Sequence, residues 1–315
     1  MMSQVILAAV LAALLHQHVE GQECPCMYRE ADPVFPGATG NRWDCEYVSH
    51  GLPAVPSTCW TQHPDVTQVF LDYNEIEHLA AEDFAGLTNL QTLSLKKNSI
   101  ATIEDRVFAG LTSLQFLDLS SNQIVVPPSD IWHLSNLTHL YLADNKLLEV
   151  QTYNISHLTN LEVLDLHLNQ LRQIPYHSLE PLTKLRKLHL YWNIFVVLPI
   201  LTENLQLEEV LVHGNALLDF PKYMFGNLSK PLTYHFVDNP AYDVWAPMLL
   251  PLPDRSHIVM GNDVSVWAED EQQAKQLLQK DWLVQNGLSQ TIDLSALVRI
   301  CGTSKASIQG RLPPC

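Results

Sequence analysis

His167, His189 and His213 recur at near-equal intervals, and Asp165 stands two residues before the first of them. Imidazoles and a carboxylate can ligate a metal, move a proton or change charge near neutral pH. Which of these is open to them depends on the elements that hold them. Each histidine lies in or beside a short segment of alternating apolar residues, LDLHL, LHLYW or LVHGN, which reads as a strand with one face buried. Neighbouring strands lie about 4.8 Å apart, so ligands on alternate strands are nearly 10 Å apart and a shared ion would need contorted rotamers. No metal site is expected, and the histidines read as solvated or pH-sensitive contact residues. Ser94 and Ser120 are strand-face hydroxyls that no base or orienting group accompanies, so neither catalysis nor a cofactor is expected.

The strands that carry these side chains belong to a repeat of about 24 residues. Seven units begin at Val66, Leu90, Leu114, Leu137, Leu161, Leu185 and Leu207, and each opens LxxLxLxxNxL or a conservative variant. A single LxL strand cannot bury its own apolar side, but seven stacked in parallel enclose a continuous core. At about 1.5–3 kcal/mol per buried aliphatic side chain, the strand leucines and the later anchors Phe84, Leu87, Phe108, Leu111, Phe225 and Leu228 outweigh local propensity. The ninth position of every unit is asparagine: Asn74, Asn98, Asn122, Asn145, Asn169, Asn193 and Asn215. Where the chain turns off the sheet, inward backbone N–H and C=O groups lose their ladder partners, and an amide that both donates and accepts can satisfy them.

The residues outside the repeats point to export. The opening MMSQVILAAVLAALLHQHVEG has the apolar run and small residues of a secretory signal, taken as residues 1–21. Six cysteines crowd the two ends, Cys24, Cys26, Cys45 and Cys59, then Cys301 and Cys315, while the middle has none. Four N-terminal cysteines allow three pairings. The formal net charge of −16 repels phosphate backbones and anionic head groups, so neither nucleic acid nor a membrane surface is an expected partner. Beyond the leader, no segment has the roughly 20 apolar residues that a span requires. Sequons at Asn136, Asn154 and Asn227 add candidate N-glycans outside the sheet face.

These units resemble the typical extracellular leucine-rich-repeat family. The resemblance implies an α/β solenoid, a horseshoe with a concave parallel β-sheet and disulfide-bonded caps at both ends. Residues 22–65 are similar to the family's cysteine-flanked N-terminal cap, residues 66–231 form the seven repeats, and residues 232–315 make a divergent C-terminal cap. In that cap VDNPAYDV resembles the family's Asn-Pro lead-in, and a Cys301–Cys315 bond is expected. The segment from Ala268 to Gln285 has early acids, apolar residues at helical spacing and a following Asn-Gly, so it reads as a helix. It resembles the tryptophan-bearing helix of such caps, with Trp282 on the last repeat.

The third, fifth and seventh residues of each unit face away from the core and define the concave surface. Phe116, Tyr141, Tyr191 and the adjoining Trp192 are expected ligand anchors, since aromatics dominate binding hot spots and a merely solvated face needs none. Asp118, Asp165, His139, His167, His189 and His213 complete the candidate ligand-binding set, and the charge of Asp118, Asp144 and Asp165 suits a partner with basic or hydroxyl-rich groups. Seven units between two cysteine caps are similar to the variable lymphocyte receptors of jawless vertebrates. The expected function is therefore secreted, non-enzymatic recognition of a protein or glycan in innate immunity. The alternative is an extracellular-matrix component that binds fibrous proteins or growth factors, as small leucine-rich proteoglycans do.

Overall fold

The strand motif of each repeat forms a three-residue strand in the computed structural model, which describes residues 24–30, 40–46, 51–150, 155–217, 225, 228–229, 232–235, 239, 256–261 and 264–268. The principal sheet contains β1 (Met27–Arg29), β2 (Arg42–Asp44), β3 (Gln68–Phe70), β5 (Thr92–Ser94), β7 (Phe116–Asp118), β8 (His139–Tyr141), β9 (Val163–Asp165), β10 (Lys187–His189), β11 (Glu209–Leu211), β12 (Thr233–His235), β13 (Ser256–Gly261) and β14 (Val264–Ala268), paired in that order. Two further short strands, β4 (His78–Leu79) and β6 (Thr102–Ile103), pair beside it. From β2 to β13 every neighbour is parallel, while β1–β2 and β13–β14 are antiparallel. The register is constant: Thr92 opposes Phe116, Phe116 opposes His139, and His139 opposes Val163. One column of the repeat thus becomes one row across the sheet.

The central residue of each strand points into the core. Val69, Leu93, Leu117, Leu140, Leu164, Leu188 and Val210 are all fully buried. On the side away from the sheet the core is closed by an aromatic spine, with Trp60, Phe84 and Phe108 stacked at 6.0 and 6.2 Å and Trp132 in the same register. Trp60 sits in the short 3-10 turn Ser57–Gln62 and Trp132 in Ser129–His133. The spine then continues in aliphatic form through Ile155, Leu179 and Leu201 to Phe225.

Each asparagine bridges two turns. Asn145 accepts from the Ile124 N–H at 3.0 Å through Oδ1, while its Nδ2 donates to the carbonyls of Leu119 and Leu142 at 3.0 and 3.2 Å. The same pattern runs from Asn74, which accepts from Leu52 N–H and donates to Cys45, to Asn215, which accepts from Phe195 N–H. It also runs on past the seventh unit. Asn239 donates to Val212 and accepts from Leu217 N–H, and β12 extends the parallel array with Tyr234 fully buried in the leucine position. Where the sequence places an Asn-Pro cap lead-in, the chain has made one more turn of the stack, because PLTYHFVDN satisfies the same inward pattern.

The residue before each asparagine adopts a left-handed backbone. Tyr73, Lys97, Ser121, Asp144, Leu168 and Trp192 have φ between 53° and 58°. Only the seventh unit uses glycine there: Gly214 has φ 64°, and a Cβ on it would come within 2.9 Å of the Trp192 indole. The ladder must hold these turns against a preference that disfavours six of the seven side chains.

At the N-terminus the pairing left open by the sequence is Cys24–Cys59 with Cys26–Cys45, which ties β1 and the 3-10 turn onto β2. Trp43, Leu52 and Val55 cover the first repeat's core from this side. Ala268, expected to open a helix, instead ends β14, whose Val264-Ser-Val-Trp-Ala is rich in the β-branched and aromatic residues that favour strands and pairs antiparallel with β13. The remainder of that expected helix, Trp282, Cys301, Cys315, the leader segment 1–21, Asn154 and Asn227 lie outside the described residues. No helix among the described residues is long and apolar enough to cross a membrane.

Candidate binding face

The side chains on the solvent side of the sheet form two unlike halves. Toward the N-terminus the face carries Asp44, Asp72 and Asp118 with Phe70 and Lys96 between them. Arg42 pairs with Asp44 at 2.6 Å and lies over the Phe70 ring at 5.3 Å. Asp72 is half-buried and accepts from the Ser94 hydroxyl and the Lys96 N–H. Burial still pushes its carboxyl above the ordinary value.

From β7 onward rings take over. Phe116, His139 and Tyr141 form a tilted cluster with centroids 5.2 to 6.3 Å apart. Burial lowers the His139 pKa, partly opposed by Glu162. In the next column His167, Tyr191 and His213 stack almost face to face, at 4.2 Å and 8°, then 4.5 Å and 12°. His235 on β12 follows at 6.1 Å from His213. Aromatic neighbours one strand apart stack because the register puts their Cβ atoms directly side by side.

A polar row runs beside this stack. Asp165 holds His167 Nδ1 at 2.6 Å through Oδ1 and His189 Nδ1 at 3.4 Å through Oδ2, and His189 Nε2 reaches Glu209 at 2.6 Å. Burial opposes ionisation of Asp165, but the hydrogen bonds from the two histidines outweigh it and hold its pKa at about 2. Burial likewise opposes charge on His189, and Asp165 with Glu209 overrides it, raising that pKa. Burial and the nearby carboxylates raise both tyrosines: Asp118 and Asp165 for Tyr141, Asp165 and Glu209 for Tyr191. Both phenols therefore remain hydrogen-bond donors at neutral pH.

Among the described residues, the one group of three metal-ligand-type side chains whose donor atoms come within 4.8 Å is Cys24, Cys26 and Cys59, all consumed in disulfides. The face offers flat rings, carboxylates and imidazoles to a ligand.

Residues 64–124 and 135–195 match the profile of the leucine rich repeat. Those two segments are leucine-rich repeats. Among solved structures, TLR13 in its complex with ssRNA13 superposes with a TM-score of 0.53 at 27% identity, over 60% of this chain and 26% of that one. The LRIM1/APL1C complex superposes with a TM-score of 0.52 at 22% identity, over 60% of this chain and 34% of that one. The chain thus spans about a quarter to a third of the length of these structures. Among curated proteins none matches the sequence significantly.

Within the leucine-rich-repeat frame, the nominated residues fall into two clusters and two separate residues. Phe116, His139 and Tyr141 gather on β7 and β8, and Asp165, His167, His189, Tyr191 and His213 gather on β9 to β11 and the turns that follow. Asp118 sits between the halves, buried, with its Oδ1 on the Ser120 N–H at 2.8 Å. Trp192 does not join them. It lies past the strand at the left-handed turn, 51% exposed, edge-on to His213 at 6.3 Å. Several positions that alternation assigns to solvent, including Ser94, Ala143, Val163 and Asp165, are buried, because neighbours one strand away cover them.

Glu209 and His235 were missed by the sequence reading. Glu209 is a third-position residue whose role becomes visible only when the register sets it beside His189. His235 would have been found by continuing the repeat through PLTYHFVDN. Asn136, the described sequon, is exposed before β8 and donates to the Thr112 carbonyl at 2.8 Å.

Proposed function

We propose that this chain is a secreted, non-enzymatic recognition protein that takes a protein or glycan ligand on the concave face between β7 and β12, in innate immune recognition. One observation carries the reading: six consecutive turns of the stack, from β7 to β12, each place an aromatic or imidazole ring on the strand or just past it on the solvent side of the sheet, where covering the core demands none of them. Rings with polar edges give contact area at low entropic cost, and Asp118 and Asp165 beside them favour basic or hydroxyl-bearing partners. The N-terminal disulfides suit an oxidising extracellular setting. Although TLR13 is seen with single-stranded RNA, a net charge of −16 argues for a different partner here.

The test has two arms. Incubating the protein with microbial cells, collagen fibrils and heparin beads separates recognition from a matrix role: retention on microbes alone supports the reading, and retention on collagen alone replaces it. On the surface that retains the protein, Phe116→Ala/Tyr141→Ala/Tyr191→Ala is expected to lose binding at least tenfold with unchanged circular dichroism, each hot-spot aromatic contributing about 2 kcal/mol or more. Undiminished retention by a folded triple variant removes the concave face from the account.

A further inference from the structure

The polar row around Asp165 fixes more than charge. Asp165 and Glu209 are carboxylates, and an ionised carboxylate only accepts hydrogen bonds. His167 must therefore donate from Nδ1 to Asp165 Oδ1, 2.6 Å away, which leaves Nε2 of the neutral ring as an acceptor. No hydrogen-bond partner reaches that Nε2 among the described residues, and it is not sealed from solvent. The ring cannot easily turn to offer the other edge, because Tyr191 stacks on it at 4.2 Å and 8° and is itself backed by His213.

His189 holds the arrangement from behind. Its two nitrogens face Asp165 Oδ2 on β9 and Glu209 Oε1 on β11, so satisfying both acceptors requires both to carry protons. Its side chain is only 17% exposed, which leaves water little room to replace either partner. The groups that face it are Asp165 from β9, which also holds His167, Glu209 from β11, and Tyr191 from its own chain segment at 6.2 Å.

We propose that His167 is a specificity-determining residue of this face, presenting Nε2 as a fixed acceptor to a ligand group that donates a hydrogen bond, and that His189, as an imidazolium between Asp165 and Glu209, is the positioning residue that keeps it so. The inference rests on the concave face being the binding surface and adds the chemistry that the central position selects. A hydroxyl, ammonium or guanidinium N–H fits, whereas a carbonyl or carboxylate oxygen meets a lone pair and is refused. Deprotonating His189 leaves one carboxylate facing a bare ring nitrogen, so the alkaline side of that transition loosens the arrangement.

Histidine-selective 15N NMR of the whole secreted chain tests this without any ligand, and so separately from the binding experiment above. His167→Gln and His189→Gln spectra assign the two rings. In the native protein, the neutral form of the His167 ring is expected as the Nδ1–H tautomer, and His189 as doubly protonated at pH 6.5, with its midpoint above that value. Glu209→Gln is expected to lower the His189 midpoint by about one unit, the effect of removing one adjacent opposite charge. An Nε2–H tautomer at His167, a neutral His189 at pH 6.5, or a midpoint indifferent to Glu209→Gln would each overturn the proposal. Since Glu209 is half-exposed and outside the core, a folded variant is expected, and the native spectrum alone decides the first two outcomes.

Discussion

Asn145 does the work of three backbone partners with one side chain, and Leu at that position would fill similar space while satisfying none of them. Each buried polar group left unpaired costs about 1–3 kcal/mol, so Asn145→Leu should destabilise by roughly 2–5 kcal/mol in chemical denaturation. At Gly214 the constraint is conformational, because a methyl there meets both a positive φ and the Trp192 indole. Gly214→Ala should therefore cost about 1–2 kcal/mol. For the Asp165 and His189 pair the dependence on pH has two limbs. Asp165, depressed from 3.8 to about 2, stabilises the fold above 3.8 and loses that contribution as pH falls through 2. His189, raised from 6.5, contributes fully below 6.5 and loses its share as pH rises through the folded value. The difference in stability between the native chain and Asp165→Asn should thus be widest between about pH 4 and 6.5, on the order of 2 kcal/mol, and should narrow above neutrality.

Among the elements, the strands were the most legible because their period-two alternation recurs with the same asparagine three residues after the last buried leucine. That register alone was enough to bring His167, His189 and Tyr191 onto neighbouring strands. What the residues could not disclose was sideways covering: Asp165 and Val163 alternate toward solvent yet are buried by their neighbours. Nor did they disclose that Trp192 leaves the strand face, since nothing in YWN marks a left-handed turn occupied by tryptophan. The eighth turn at β12 was hidden because tyrosine and phenylalanine replace the leucines in TYHF. At the N-terminal cap the three pairings were equivalent on spacing alone, and only the meeting of β1 with β2 chooses among them. Replacing Cys26 and Cys45 together by Ala releases a loop with a sequence separation of 19 and should cost about 3 kcal/mol, read as an earlier denaturation midpoint.

At the scale of the whole molecule, stability is a sum of repeat and nearest-neighbour terms, and the proposed binding face is a by-product of the same stacking. The register that aligns leucines inside must also align their outward neighbours into columns, so ring beside ring and carboxylate beside imidazole follow from a few choices per repeat. The side opposite the sheet carries histidines as well: His133 and His157 lie exposed beside each other, 5.9 Å apart, past the aromatic spine. They provide an internal control for the claim that recognition belongs to the concave face. The most direct measurement is covalent histidine footprinting of the native chain, free and bound to whichever surface retains it. His139, His167 and His213 are expected to become protected while His133 and His157 label as before. Protection of His133 and His157 with the concave histidines unchanged would contradict it.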